Sequence, residues 1–130
     1  EDQGWVTWLI MSVLKNRPIT IYGNGKQVRD ILYVTDLVGA FDSFVSGRMT
    51  HGVYNMGGGP DNSISILELI EMLRKLTGRK IELSFGEWRP SDQRVYISDI
   101  RKAVKELKWE PKISVEEGVK NVLDYCRKEF

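Results

Sequence analysis

Two arginine-bearing loops hold most of the residues whose chemistry suits a ligand. The first reads Gly23-Asn24-Gly25-Lys26-Gln27-Val28-Arg29-Asp30 and the second Arg89-Pro90-Ser91-Asp92-Gln93-Arg94. Glycines let a backbone come close to a ligand, and a guanidinium grips phosphate through a bidentate fork. Two such loops in one small chain point toward a diphosphate. Each also has a plainer reading. Asn-Gly between strands is the common hairpin signal, and Asp92 can pair with an arginine inside a solvated loop. On the residues alone both readings stand. Tyr22 and Trp88 border the loops, where an aromatic can stack on a base or sugar or simply anchor packing.

No complete catalytic constellation accompanies these loops. A G-x-G-x-x-G fingerprint is missing, and Gly57-Gly58-Gly59 runs into Pro60-Asp61 without a Walker lysine. There is no G-x-S-x-G elbow. His51 is the only histidine and reads as a solvated loop residue. Cys126 is the only cysteine, so an internal disulfide is excluded and a His/Cys zinc site lacks ligands. Asp36, Glu68 and Glu117 fall at expected helix starts, where the backbone dipole favours negative charge, and read as structural. Tyr22 and Lys26 share the spacing of a Tyr-x-x-x-Lys pair, but at a strand end and a glycine turn rather than on a helix.

The elements that must position these loops follow from periodicity. Trp5 to Leu14 is apolar on nearly all faces, which predicts a helix covered on several sides. Ile19–Tyr22 and 30–34 read as strands, and Leu37, Ala40, Phe41, Phe44 and Val45 as a helix stopped at Gly47. Val53–Met56 reads as a strand before the glycine loop. Ser65 with Glu68 and Ser114 with Glu117 are capping-box signals. Ile66, Leu69, Ile70, Leu73 and Leu76 continue one helical face to Gly78. Ile81, Leu83 and Phe85 alternate as a strand, and Val95–Ile97 is a short one. Ile100, Ala103, Val104 and Leu107 form one helical stripe; Val115, Val119, Val122, Leu123 and Cys126 form the last. The fold class is therefore α/β, a small α+β-like lobe with short strands interspersed with about five helices.

Composition bounds the partners. The 130 residues carry 19 Lys and Arg against 18 Asp and Glu, a net charge of +1. That balance argues against nucleic acid, which calls for a basic excess. No apolar run is long enough to span a bilayer, no secretory signal is visible, and the reading is cytoplasmic. The chain opens Glu1-Asp2-Gln3-Gly4-Trp5 without Met, so it is expected to be a fragment of a longer enzyme. The apolar first helix would then face a missing domain or a second copy, as in a homo-oligomer.

In their order, the segments Gly23–Leu37, Tyr54–Gly58, Ser91–Arg94 and Leu107–Lys112 with Glu117-Gly118 resemble the C-terminal, substrate-binding part of the extended short-chain dehydrogenase/reductases, the NAD-dependent epimerase/dehydratase family. Glu1 to Val6 and Ser91 to Val95 resemble the CDP-paratose (CDP-tyvelose) 2-epimerase branch. UDP-glucose 4-epimerases and UDP-glucuronate decarboxylases share the G-x-G-x-Q-x-R-D core. The resemblance implies one nucleotide-sugar-binding lobe over residues 1–130, without the N-terminal Rossmann half and its Tyr-x-x-x-Lys pair. It implies that Arg29 and Arg94 bind the diphosphate, that Gln3, Trp5 and Val6 lie by the base, and that Ile21 and Tyr22 line the nucleotide pocket. The partner is a nucleotide diphosphate sugar, with a CDP-sugar favoured. The intact enzyme is an isomerase that uses NAD to remove and return a hydride at sugar C2. This chain by itself is expected to bind no NAD, to supply no catalytic residue and to be inactive. The rival class is a non-catalytic nucleotide-sugar-binding or self-associating fragment.

Overall fold

A computed structural model describes residues 4–130. The chain divides into two compact units. Five α-helices and short strands make it mixed α/β, as the sequence predicts.

The first unit holds residues 4–27, Ser65–Arg94 and Val119–Phe130. Helix α1 (Trp5–Leu14) buries Leu9, Ile10 and Val13, while Trp8 on the same helix stays 46% exposed. Its C-terminal carbonyls are orphaned by helix geometry. Arg79 satisfies two of them, donating to Val13 at 3.3 Å and Leu14 at 2.6 Å, and also to Asn16 Oδ1. Helix α3 (Ile66–Thr77) starts on a complete capping box. Glu68 N donates to Ser65 Oγ and Ser65 N donates to Glu68 Oε1. It ends at Gly78 in the left-handed conformation, as predicted. Leu69, Ile70 and Leu73 bury its apolar face. Helix α5 (Val115–Glu129) adds Val119, Leu123 and Cys126 at helical spacing. Each such buried aliphatic side chain contributes roughly 1.5–3 kcal/mol of transfer free energy.

Strand β1 (Ile19–Tyr22) pairs in parallel with β4 (Leu83–Gly86), in register from Ile19↔Leu83 to Tyr22↔Gly86. This corrects the hairpin reading of Gly23-Asn24-Gly25. The strand leading into that turn takes a partner some sixty residues away and runs parallel to it, so the turn is a strand exit.

The second unit holds Val28–Ile64 and Val95–Gly118. Its sheet has the order β3 (Ser63–Ser65), β2 (Val28–Asp30), β5 (Val95–Tyr96), with β2 and β5 parallel. The predicted strand at 30–34 is displaced toward the N-terminus. Helix α2 (Val34–Ser46) begins at Val34 rather than Leu37. Asp30 ends the strand with its carboxylate turned to the glycine loop, where Oδ2 accepts from Gly59 N at 3.1 Å.

Ala40 of α2 packs with Ala103 and Leu107 of α4 (Arg101–Leu107) and with Trp109 in one core, with Phe44, Tyr54 and Met56 against it. Val53–Met56 is not a strand. Among the described residues no strand pairs with it, Tyr54 and Met56 turn to the core, and Lys102 donates to the Val53 carbonyl at 2.8 Å. On α2, Val34, Val38, Phe41 and Val45 recur at helical spacing and remain exposed, Phe41 by 60%. Asp36 was expected to serve the helix dipole, and it does more. Buried at 7% exposure, its Oδ2 accepts from the backbone of Lys112 and Ile113, and its carbonyl accepts from Trp109 Nε1 at 2.9 Å.

Candidate functional site

In parallel sheets ligands gather at the carboxyl ends of strands, because adjacent strands release their loops together. β1 and β4 end side by side, and the two loops singled out by their arginines leave from those ends. Residues 23–27 follow β1 and 87–94 follow β4. Gly23 N donates to Gly86 O at 3.1 Å and closes the pair.

Two glycines set the shape here. Gly23 has φ +114°, and a Cβ there would lie 2.8 Å from the Trp88 ring, so the indole lies flat on the bare backbone. Gly25 has φ +76° and packs against Leu67. Asn24 Oδ1 accepts from Lys26 N at 2.9 Å, a side-chain turn that fixes the loop between them.

Two guanidiniums then stack on two aromatic rings. The Arg89 Cζ lies 4.5 Å from the Tyr22 ring centroid and the Arg94 Cζ 4.6 Å from that of Trp88. Cation–π stacking holds a guanidinium flat while its N–H fork stays available at the edge. Both arginines are exposed. Asp92 N donates to Arg89 O at 3.2 Å, and Ser91 adopts φ +62°, which forms a tight turn between the arginines.

Tyr22 and Arg94 both lie in the first unit, Tyr22 under Arg89 and Arg94 over Trp88. Ile21 alternates to the buried face of β1, at 3% exposure, while Tyr22 faces outward. Trp5 and Val6 are half-buried in the first turn of α1. Gln3 lies outside the described residues. Arg29 belongs to the second unit, half-buried on β2, where its Nη1 donates to Val28 O at 2.8 Å. Residue typing singled out neither the stack of Arg89 on Tyr22 nor the buried amide of Gln27. The signal for the first was the position of Arg89 just past an alternating strand.

The glycine-rich loop is not shaped as a dinucleotide-binding loop. Every Cα of Gly57-Gly58-Gly59 faces protein. A Cβ at Gly57 would meet Ser98 Oγ and Asp30 Oδ2, one at Gly58 the Ile31 carbonyl, and one at Gly59 Ile100 at 2.9 Å. That loop therefore offers no cradle for a pyrophosphate. Among the described residues no cluster of His, Cys, Asp or Glu could hold a metal ion. Cys126 is buried, and burial pushes its thiol pKa up, away from nucleophilic use. His51 is exposed. No helix among the described residues is long and apolar enough to cross a membrane.

Parallel strands whose exits carry stacked arginines make a candidate ligand site on a mixed α/β scaffold. Residues 4–122 match the model of the GDP-mannose 4,6 dehydratase family, and the chain belongs to that family of NAD-dependent nucleotide-sugar epimerases and dehydratases. It is 35% identical to a CDP-paratose 2-epimerase of Salmonella typhi over 95% of its length. A UDP-glucose 4-epimerase of Thermotoga maritima, solved with UDP-glucose, superposes at TM-score 0.86 with 34% identity over 98% of this chain. A UDP-glucuronic acid 4-epimerase of Bacillus cereus, solved with UDP-glucuronic acid and NAD, gives 0.82 with 29% identity over 94%. The chain spans about two-fifths of each: 39%, 40% and 39%.

Proposed function

We propose that this chain is the nucleotide-sugar-binding part of an NAD-dependent epimerase, and that the loops leaving β1 and β4 hold the nucleotide diphosphate. The observation that carries this is the pair of exposed guanidiniums, Arg89 and Arg94, stacked on Tyr22 and Trp88 at adjoining strand ends. Planar forks held in one orientation suit the oxygens of two linked phosphates. On the resemblance, Trp5 and Val6 lie by the base, and Tyr22, on the outward face of β1, lines the nucleotide pocket. The sugar nucleotide favoured is a CDP-sugar epimerised at C2 in the cytoplasm, supported by the likeness to the Salmonella typhi enzyme. The rival within the class is a UDP-sugar, supported by the relatives solved with UDP-glucose and UDP-glucuronic acid.

In this reading the chain binds and orients the substrate, while hydride transfer belongs to an NAD-binding half that also covers the apolar stripe of α2. Calorimetry with CDP-glucose and UDP-glucose tests the site and the base. Arg89→Ala and Arg94→Ala should each weaken binding about 10- to 100-fold, as expected for losing a hydrogen bond to a charged group. Wild-type affinity in both variants would reject the site. Epimerisation by the purified chain with added NAD would reject the claim that it is inactive alone. A second reading, a self-associating fragment without activity, is favoured by the exposed Trp8 on α1. A monomer by light scattering would count against it.

A further inference from the structure

Gln27 is almost completely buried, at 3% exposure, and the two polar atoms of its amide meet very different surroundings. Nε2 donates to the Tyr22 carbonyl at 3.0 Å and to Asp92 Oδ2 at 3.4 Å. Oε1 is buried with no hydrogen-bond partner among the described residues. The orientation of the amide is set by chemistry. Its two neighbours are a carbonyl and a carboxylate, both acceptors, so only the NH₂ end can face them.

That amide joins the two strand exits. Tyr22 is the last residue of β1, and Asp92 lies in the loop after β4. Gln27 is itself anchored, because its carbonyl accepts from Ile66 N at 3.3 Å and the Gly25 carbonyl accepts from Leu67 N at 3.0 Å, both in the first turn of α3. A continuous chain of bonds therefore runs from the first turn of α3 through Gln27 to Asp92. Asp92 sits within the turn that separates Arg89 from Arg94. A buried acceptor without a donor is a standing cost to folding.

We propose that Gln27 is a positioning residue: its amide tethers Asp92 and so holds the 87–94 loop, with Arg89 and Arg94, in the orientation that receives a diphosphate. The tether is a property of the unliganded chain, while its purpose rests on the reading given above.

Hydrogen–deuterium exchange of the unliganded chain, with UDP and inorganic pyrophosphate as binding probes, tests both parts. Gln27→Met keeps the length and removes the donor. It should fold, while residues 88–94 exchange about tenfold faster and both probes bind about tenfold more weakly. Asp92→Ala removes the same bond from the loop side. It should also speed exchange at 88–94, and in the double variant the two effects should be less than additive, since both changes remove the Gln27–Asp92 bond. A residue that only fills space would leave exchange at 88–94 unchanged, since methionine fills the same space. Unaltered exchange at 88–94 in both variants would overturn the proposal. If Gln27→Met does not fold, Asp92→Ala decides alone. If exchange rises as expected but the wild-type chain binds neither probe, the tether stands and the diphosphate reading falls.

Discussion

Replacing Asp36 separates a helix-dipole charge from a residue that ties two segments together. A surface carboxylate in the first turn of a helix is worth about 0.3–1 kcal/mol. Asp36 is instead buried, and one of its oxygens accepts two backbone amides, from Lys112 at 3.1 Å and Ile113 at 2.9 Å. A hydrogen bond to a charged group contributes about 1.5–3 kcal/mol, and an amide buried without its partner adds a cost. Because both bonds share one oxygen they do not add fully, so Asp36→Ala should lose about 3 kcal/mol. Asp36→Asn can present its carbonyl oxygen at the same place and keep both bonds in neutral form, losing about 1 kcal/mol. Trp109 is the one tryptophan of the four in the second unit, and its Nε1 donates to the Asp36 carbonyl. Its indole resonance followed through a urea titration therefore reports this unit specifically. The expected order is Asp, then Asn, then Ala. An alanine variant within about 0.5 kcal/mol of wild type, the range of ordinary surface changes, would refute the reasoning, as would equal losses for Asn and Ala.

The α3 capping box offers a second check. Ser65→Ala should cost about 1 kcal/mol in urea unfolding. The backbone and hydroxyl of Ser65 hold the Glu68 carboxyl below the ordinary glutamate range. The stabilisation from that pair is therefore complete above the ordinary value and is lost as pH falls through the lowered one. Glu68→Gln should flatten this acid limb, and a limb of unchanged steepness would count against the assignment. At the site, Gly23→Ala must force a side chain into φ +114° and into the face of Trp88. Such backbone strain costs about 1–3 kcal/mol, and the Trp88 indole resonance should shift as the ring is displaced. An unmoved resonance would show that the indole does not rest on Gly23.

What was legible in the sequence was local. The α3 cap at Ser65 and Glu68, the stop at Gly78 and the stripe of Leu69, Ile70 and Leu73 all depend on residues three or four apart, and each appears in the structure. Pairing was not legible, because a strand carries no mark of its partner. Asn24-Gly25 is a sound turn signal, yet β1 finds β4 rather than β2. Val53–Met56 has strand composition, yet no strand lies against it among the described residues. The candidate site divides along the same line. Arginine is recognisable by type wherever it stands, so both loops were identified. The work of Gln27 depends on Asp92, sixty-five positions on, and that of Asp36 on amides seventy-six and seventy-seven positions on. The parallel register that overturns the hairpin also brings the two loops to one rim. With an antiparallel hairpin, Gln27 would sit on a return strand away from the 87–94 loop, and Arg89 and Arg94 would lose the tether that orients them.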